Sequence, residues 1–233
     1  MPPSHYFSME CDDLKFAARV GIVGGTFDPV HYGHLLIAEE ARLRYALTAV
    51  LFIPAGEPPH KPLGQANAEQ RMMMVELAIE DNPHFFASRL EIDRPGLSYT
   101  IDTLRALRAC YPQPELYLII GADAALEFHT WRDPFAILDL ARVIAASRPG
   151  YQLERLQNLR NDPRLAQIAT MPVPGLDVSS TDLRARVRDG RGLRYLTPDR
   201  VAGYIAHEGL YREEASLMPP HEHKCRHHKK DEH

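Results

Sequence analysis

Two histidines three residues apart, His31 and His34, follow a pair of glycines, Gly24 and Gly25. In a helical turn this spacing puts both imidazoles on one face, where they can point at one ligand. Glycine lets a ligand approach the backbone, and the N–H groups at a helix start carry partial positive charge. A phosphate suits such a set. The bland alternative is one histidine as helix cap and the other as core. A zinc pair lacks a third ligand at sensible spacing, and HExxH is absent. Neither the GxxxxGKS/T nor the GxGxxG fingerprint occurs. A second set lies far along the chain, Ser179, Ser180 and Thr181 with Arg184 one turn on. Hydroxyls, a helix start and an arginine again suit an anion, and an ordinary N-cap role is compatible with that. After Gly121, Asp123 suits either a ribose hydroxyl or a helix N-cap.

The elements that must position these groups alternate strand and helix. Apolar runs predict strands at Ala17–Val23, Ala49–Pro54, Phe85–Ile92, Leu116–Ile120, Arg142–Ala146 and Ile168–Val173. Helices are predicted over Leu35–Tyr45 (Leu36, Ile37, Ala41 and Leu43 apolar), Asn67–Asp81, Tyr99–Ala109, Phe135–Leu140, Leu153–Leu159, Asp182–Arg188 and Asp199–His207. Ser98 is the expected N-cap of the third helix. Thr197 is the expected cap of the last, with Pro198 at its first position. The prolines of Pro58–Pro62 preclude helix there. Arg71, opening a helix, reads as a loop anchor, and Met72–Met74 as core with one exposed neighbour. Strands that are continuously rather than alternately apolar imply an α/β fold, a doubly wound parallel sheet covered on both faces. In such sheets ligands bind at the carboxyl ends of strands, where strand order reverses. The clusters Gly24–His34, His60-Lys61, Gly121–Asp123, Ser147-Arg148 and Ser179–Arg184 each follow a strand.

The 233 residues suffice for one domain, placed at 17–214, with an N-terminal extension at 1–16 and a His/Lys-rich tail at 215–233. The tail holds five histidines and Cys225 but little to bury; it is expected to be disordered, weak Zn²⁺ or Ni²⁺ binding being the other reading. A net charge of -4 gives no reason to expect nucleic acid. Three cysteines far apart are no disulfide framework and fit a reducing cytosol. No secretory signal or membrane-length apolar run is present. The expected protein is cytoplasmic, with no membrane partner and no metal site of its own; a homo-oligomer is left open.

Gly24-Gly25-Thr26-Phe27-Asp28-Pro29-Val30-His31-Tyr32-Gly33-His34 is similar to the HxGH signature of the nucleotidylyltransferase superfamily. Ser179-Ser180-Thr181-Asp182-Leu183-Arg184 resembles its second signature, ISSTxxR, with Val178 for isoleucine. Within the superfamily the chain resembles the bacterial nicotinate-nucleotide adenylyltransferases. Pro58–Pro62, Leu97–Leu104, Gly121–Asp123 with Trp131, Arg148–Gly150 and Val201–Tyr211 carry that resemblance, which spans about Val20 to Tyr211. It implies a Rossmann-like fold and adenylyl transfer from ATP to nicotinate mononucleotide, giving deamido-NAD and pyrophosphate. Nicotinamide mononucleotide and phosphopantetheine are the rival acceptors; a regulator without catalysis is the rival class. The resemblance gives ATP to Gly24, Gly25, Thr26, His31, His34, Gly121, Asp123, Ser179, Ser180 and Arg184, with His31, His34 and Arg184 catalytic. It gives the mononucleotide to His60, Lys61, Tyr99, Thr100, Trp131 and Arg148. Trp131 would stack on the pyridine ring, or else be a core or interface residue. Backbone N–H groups near Trp131 and the Thr100 hydroxyl would meet the acid. Ser147 stands where the family usually has a basic residue. Mg²⁺ is expected to bridge nucleotide phosphates.

Overall fold

The computed structural model describes residues 17–58, 65–147 and 162–212. His60, Lys61, Arg148, the predicted helix Leu153–Leu159, the extension at 1–16 and the tail at 215–233 lie outside them.

Six strands form the sheet: β1 (Arg19–Gly25), β2 (Ala49–Pro54), β3 (Phe85–Ala87), β4 (Glu115–Gly121), β5 (Arg142–Ser147) and β6 (Ala169–Pro172). Every pairing is parallel and the order is β3-β2-β1-β4-β5-β6. That order reverses direction between β1 and β4, which is the doubly wound Rossmann arrangement. Parallel strands need crossovers, and helices supply them: α1 (Tyr32–Arg44), α2 (Ala68–Ile79), α3 (Thr100–Cys110), α4 (Ala122–Leu126) and α5 (Pro134–Leu140). After β6 come α6 (Ser180–Arg188) and α7 (Asp199–His207).

The continuity of the apolar runs follows from burial on both faces. Along β2, Val50 and Phe52 join the core under α1, α2, α6 and α7, while Ala49, Leu51 and Ile53 join the core under α3, α4 and α5. Each side chain of this size taken out of water contributes about 1.5–3 kcal/mol. Arg71, Met72 and Met74 of α2 are buried, with Met73 half-buried between them.

Several boundaries differ from the expectation. β1 ends two residues later, because Gly24 and Gly25 still pair with Ile53 and Pro54. α1 begins three residues earlier, at Tyr32, and its buried positions are Gly33, Ala38 and Ala41; Leu43 is exposed. β3 stops at Ala87. Its apparent continuation to Ile92 is a turn, in which the Asp93 N–H donates to the Arg89 carbonyl at 2.9 Å. Ser98 does not cap α3. Tyr99 holds that position without a side-chain cap, and Ser98 Oγ instead accepts the Gly56 N–H at 3.0 Å. Thr197 does not cap α7 either: Pro198 is its N-cap residue, and the Thr197 hydroxyl donates to the Val30 carbonyl at 2.8 Å.

Candidate active site

The β1–β4 pairing runs from Arg19↔Glu115 to Ile22↔Leu118 and stops there. Past that point β1 stays with β2, and β4 with β5. A cleft of about 410 Å³ opens at the divergence, with Ile22, Ile53, Leu118 and Ile120 among its lining. Its size is that of a small-molecule site.

Gly24, Gly25 and Thr26 line one part of the cleft. The turn after them is held under strain. Phe27 takes a left-handed φ of 52°, costly for a side chain with a Cβ, and is 2% exposed. Asp28, next to it, is 4% exposed and satisfied throughout. Its Oδ1 accepts the Tyr211 hydroxyl at 2.7 Å and the Ala66 N–H at 3.2 Å; its Oδ2 accepts the Gln65 N–H at 2.9 Å. Burial and this bond to Asp28 together push the Tyr211 phenol far above its ordinary pKa, so it remains a donor. Sequence reasoning gave neither residue a role. The signal available was a carboxylate set among Phe27, Pro29 and Val30, an apolar stretch that would bury it and so require partners.

His31 is the N-cap residue of α1 and His34 its third residue. The His31 N–H donates to His34 Nδ1 at 3.2 Å, and the rings stack with centroids 3.8 Å apart. With Nδ1 an acceptor, the neutral His34 ring carries its proton on Nε2 and is a donor there. Phe27 meets the His34 ring edge-on, 5.1 Å between centroids. A Cβ on Gly33 would lie 2.9 Å from His31 Nδ1 and 3.2 Å from Val178, so only glycine lets α1 start this close to the segment entering α6. Thus one histidine is a cap, as the bland alternative had it, yet the pair is a stacked unit at a helix start.

The second signature does close on this turn. Ser179 caps α6, accepting the Asp182 N–H at 3.1 Å. The Ser180 hydroxyl donates to the Pro29 carbonyl at 2.8 Å, and Arg184 Nη1 donates to the Asp28 carbonyl at 2.7 Å. Ser179, Ser180, Arg184, His31 and His34 therefore gather around residues 28–34 and are not part of the cleft lining itself.

Across the cleft lie Tyr99, Thr100, Asp123 and Trp131. Gly121, not Asp123, holds the N-cap position of α4, and no side chain caps it. The capping alternative for Asp123 is thereby set aside. Trp131 packs one way on Phe128, 5.2 Å between centroids, and also lines the cleft. Arg132, which sequence reasoning passed over, sits 4.7 Å above the Tyr99 ring and lines the cleft as well. α3 starts beside Tyr99 and Thr100 with no side-chain cap, so its first N–H groups can take an anion.

Arg71 joins the two sides. It is 2% exposed; Nη1 donates to the Thr26 carbonyl at 2.9 Å and Nη2 to the Gly56 carbonyl at 3.2 Å. The loop-anchor expectation is met. Burial draws its pKa below the usual guanidinium value, against the opposing charge of Asp28, yet a guanidinium remains charged. Lysine at 71 reaches only one carbonyl. Arg71→Lys is expected to lower kcat about tenfold while both KM values change less, as steady-state kinetics will read.

A family model described as cytidylyltransferase-like matches residues 22–186. A Desulfitobacterium hafniense protein named "Probable nicotinate-nucleotide adenylyltransferase" is 51% identical over 198 residues, covering 83% of this chain and 96% of its own. A Moorella thermoacetica protein of the same name is 50% identical over 201 residues, covering 83% and 92%. Among solved structures, Plasmodium falciparum nicotinic acid mononucleotide adenylyltransferase complexed with NaAD superposes with a TM-score of 0.69 at 17% identity, covering 83% of this chain and 97% of its own. At that identity the likeness speaks for the fold.

Proposed function

The chain belongs to the cytidylyltransferase-like family, and from its likeness to relatives named nicotinate-nucleotide adenylyltransferase we propose that it is such an enzyme of NAD biosynthesis. The 5′-phosphate of nicotinate mononucleotide attacks the α-phosphorus of ATP. A new P–O bond forms, the bond from the α-phosphorus to the β-bridging oxygen breaks, and pyrophosphate leaves with that electron pair. The other product is deamido-NAD. No covalent bond to the protein is needed, so the chain contributes position and charge.

One observation carries the reading most: the Gly24–Thr26 turn and the uncapped start of α3 line the same cleft. Donor and acceptor thus meet in one crevice at the reversal of strand order. In this reading the backbone of Gly24, Gly25 and Thr26 lies along the ATP phosphates. His31 and His34 donate to phosphate oxygens, His34 from Nε2. Ser180 and Arg184 hold the pyrophosphate end, with Ser179 capping the helix that carries them. Asp123 and Gly121 take the ribose side. Trp131 stacks on the pyridine ring, and the first N–H groups of α3, with the Thr100 hydroxyl, meet its carboxylate. An amide in that place would oppose its own N–H donors to theirs, which favours the acid.

Among the described residues no group of three or more His, Cys, Asp or Glu side chains converges to hold a metal. Mg²⁺ accompanying ATP would be held by nucleotide phosphate oxygens and water, and would there offset phosphate charge. Among the described residues no helix is long and apolar enough to cross a membrane. We place the enzyme in the cytoplasm, where ATP and reduced thiols prevail.

Incubation with ATP, Mg²⁺ and either mononucleotide, with pyrophosphate release as the readout, tests the reading. Release with the acid at a clearly higher kcat/KM than with the amide is expected. Release with the amide alone would overturn it.

A further inference from the structure

The cleft contains a buried carboxylate that adenylyl transfer does not call for. Glu91 is 7% exposed and lines the cleft with Ser98 and Thr103. Thr103 Oγ1 donates to Glu91 Oε1 at 2.6 Å, and Arg94 Nη2 donates to Thr103 Oγ1 at 3.1 Å. The Ser98 hydroxyl, which lines the same cleft, accepts the Gly56 N–H at 3.0 Å. A Cβ on Gly56 would stand 2.3 Å from the Glu91 carbonyl oxygen, so the turn around Glu91 lies directly on the loop after β2. That loop is pinned again where Ser98 N–H donates to the Glu57 carbonyl at 2.8 Å. The Glu91 side chain thus holds the first turn of α3, while its backbone and Ser98 hold the Gly56 loop against the same turn. Burying a carboxylate costs several kcal/mol unless its bonds are specific, and burial holds this carboxyl above the usual range. Thr103 bonds it directly and Arg94 bonds Thr103 in turn, a short chain that fixes the geometry of this carboxyl.

We propose that Glu91 is a positioning residue that fixes the direction of the α3 start, and thereby the preference for a nicotinate over a nicotinamide acceptor. Thr103 stands one turn past Tyr99, so its bond to Glu91 sets how the N–H groups of Thr100 and Ile101 meet the cleft. A carboxylate offers these donors two acceptor oxygens and depends on their direction. A carboxamide offers one and depends on it less. This inference rests on the adenylyl-transfer reading.

The test compares wild type, Glu91→Ala, Glu91→Gln and Thr103→Val with both mononucleotides, and records thermal melts. Glu91→Ala and Thr103→Val are expected to raise KM for the acid about tenfold or more and to cut the acid-to-amide ratio of kcat/KM similarly, with KM for ATP within about twofold. Glutamine keeps an acceptor for Thr103 and is expected to restore the ratio to within about threefold. Equal movement of both KM values, an unchanged ratio, or a Glu91→Gln as impaired as Glu91→Ala would overturn the proposal. Should Glu91→Ala fail to fold, the contrast between Glu91→Gln and Thr103→Val decides alone. Wild type active on the acid with variants of unchanged ratio defeats only this inference; wild type inactive on the acid defeats the adenylyl-transfer reading itself.

Discussion

Replacing His34 with alanine is expected to lower kcat about a hundredfold to a thousandfold, with the fold intact and KM for ATP changed far less. The cause is preorganisation. The His34 ring is fixed from three sides before substrate arrives: the His31 N–H on Nδ1, the stacked His31 ring, and the edge of Phe27. Its Nε2 donor is aimed by the fold and needs no reordering when charge develops on the phosphate. Removing such a donor forfeits transition-state stabilisation without removing a core side chain, since His34 is only partly buried. Losing the acceptor for the N–H of the N-cap residue His31 costs about 1 kcal/mol of stability. Steady-state pyrophosphate release and a circular-dichroism melt check both halves. A kcat within about threefold of wild type would defeat the catalytic assignment.

Asp28→Ala is expected to produce the largest loss of stability, about 3–5 kcal/mol in denaturant unfolding, with activity falling too. The substitution strands the Tyr211 hydroxyl and the Gln65 and Ala66 N–H groups, all held by its two oxygens. It also takes away the carboxylate 4.0 Å from Arg184. Tyr211→Phe, which removes one of these bonds, is expected to cost about 1 kcal/mol. Asp28→Ala lying within about 1 kcal/mol of wild type would show that the network is not what holds the turn.

The contrast between these two residues shows what was legible in the sequence. His34 announces itself through neighbours: glycines before it, a histidine three residues away, a helix after it. β2 is legible for the same reason, a uniform apolar run ended by Pro54. Asp28 has no such local pattern, because Tyr211 lies 183 residues away. Thr197 looked like a helix cap on local evidence, but its partner Val30 is 167 residues away and took its hydroxyl. Glu91 was hidden by the alternation Leu90–Ile92, which mimics a strand while serving a turn whose apolar residues pack on opposite faces of the sheet. Periodicity reports which face is buried; it does not report which distant group a buried polar atom has been promised to.

These separations also set the order in which the molecule comes into being. All six described strands are made once the ribosome has passed Pro172. The bonds from Ser180, Arg184, Thr197 and Tyr211 to residues 28–30 all wait for the chain beyond it. Nascent domains fold as their pieces emerge, so the sheet can assemble first and the turn at residues 26–34 is braced last. An unfinished chain carries the signature residues near its beginning without the brace that shapes them. The last of these bonds comes from Tyr211, four residues beyond the end of α7 at His207.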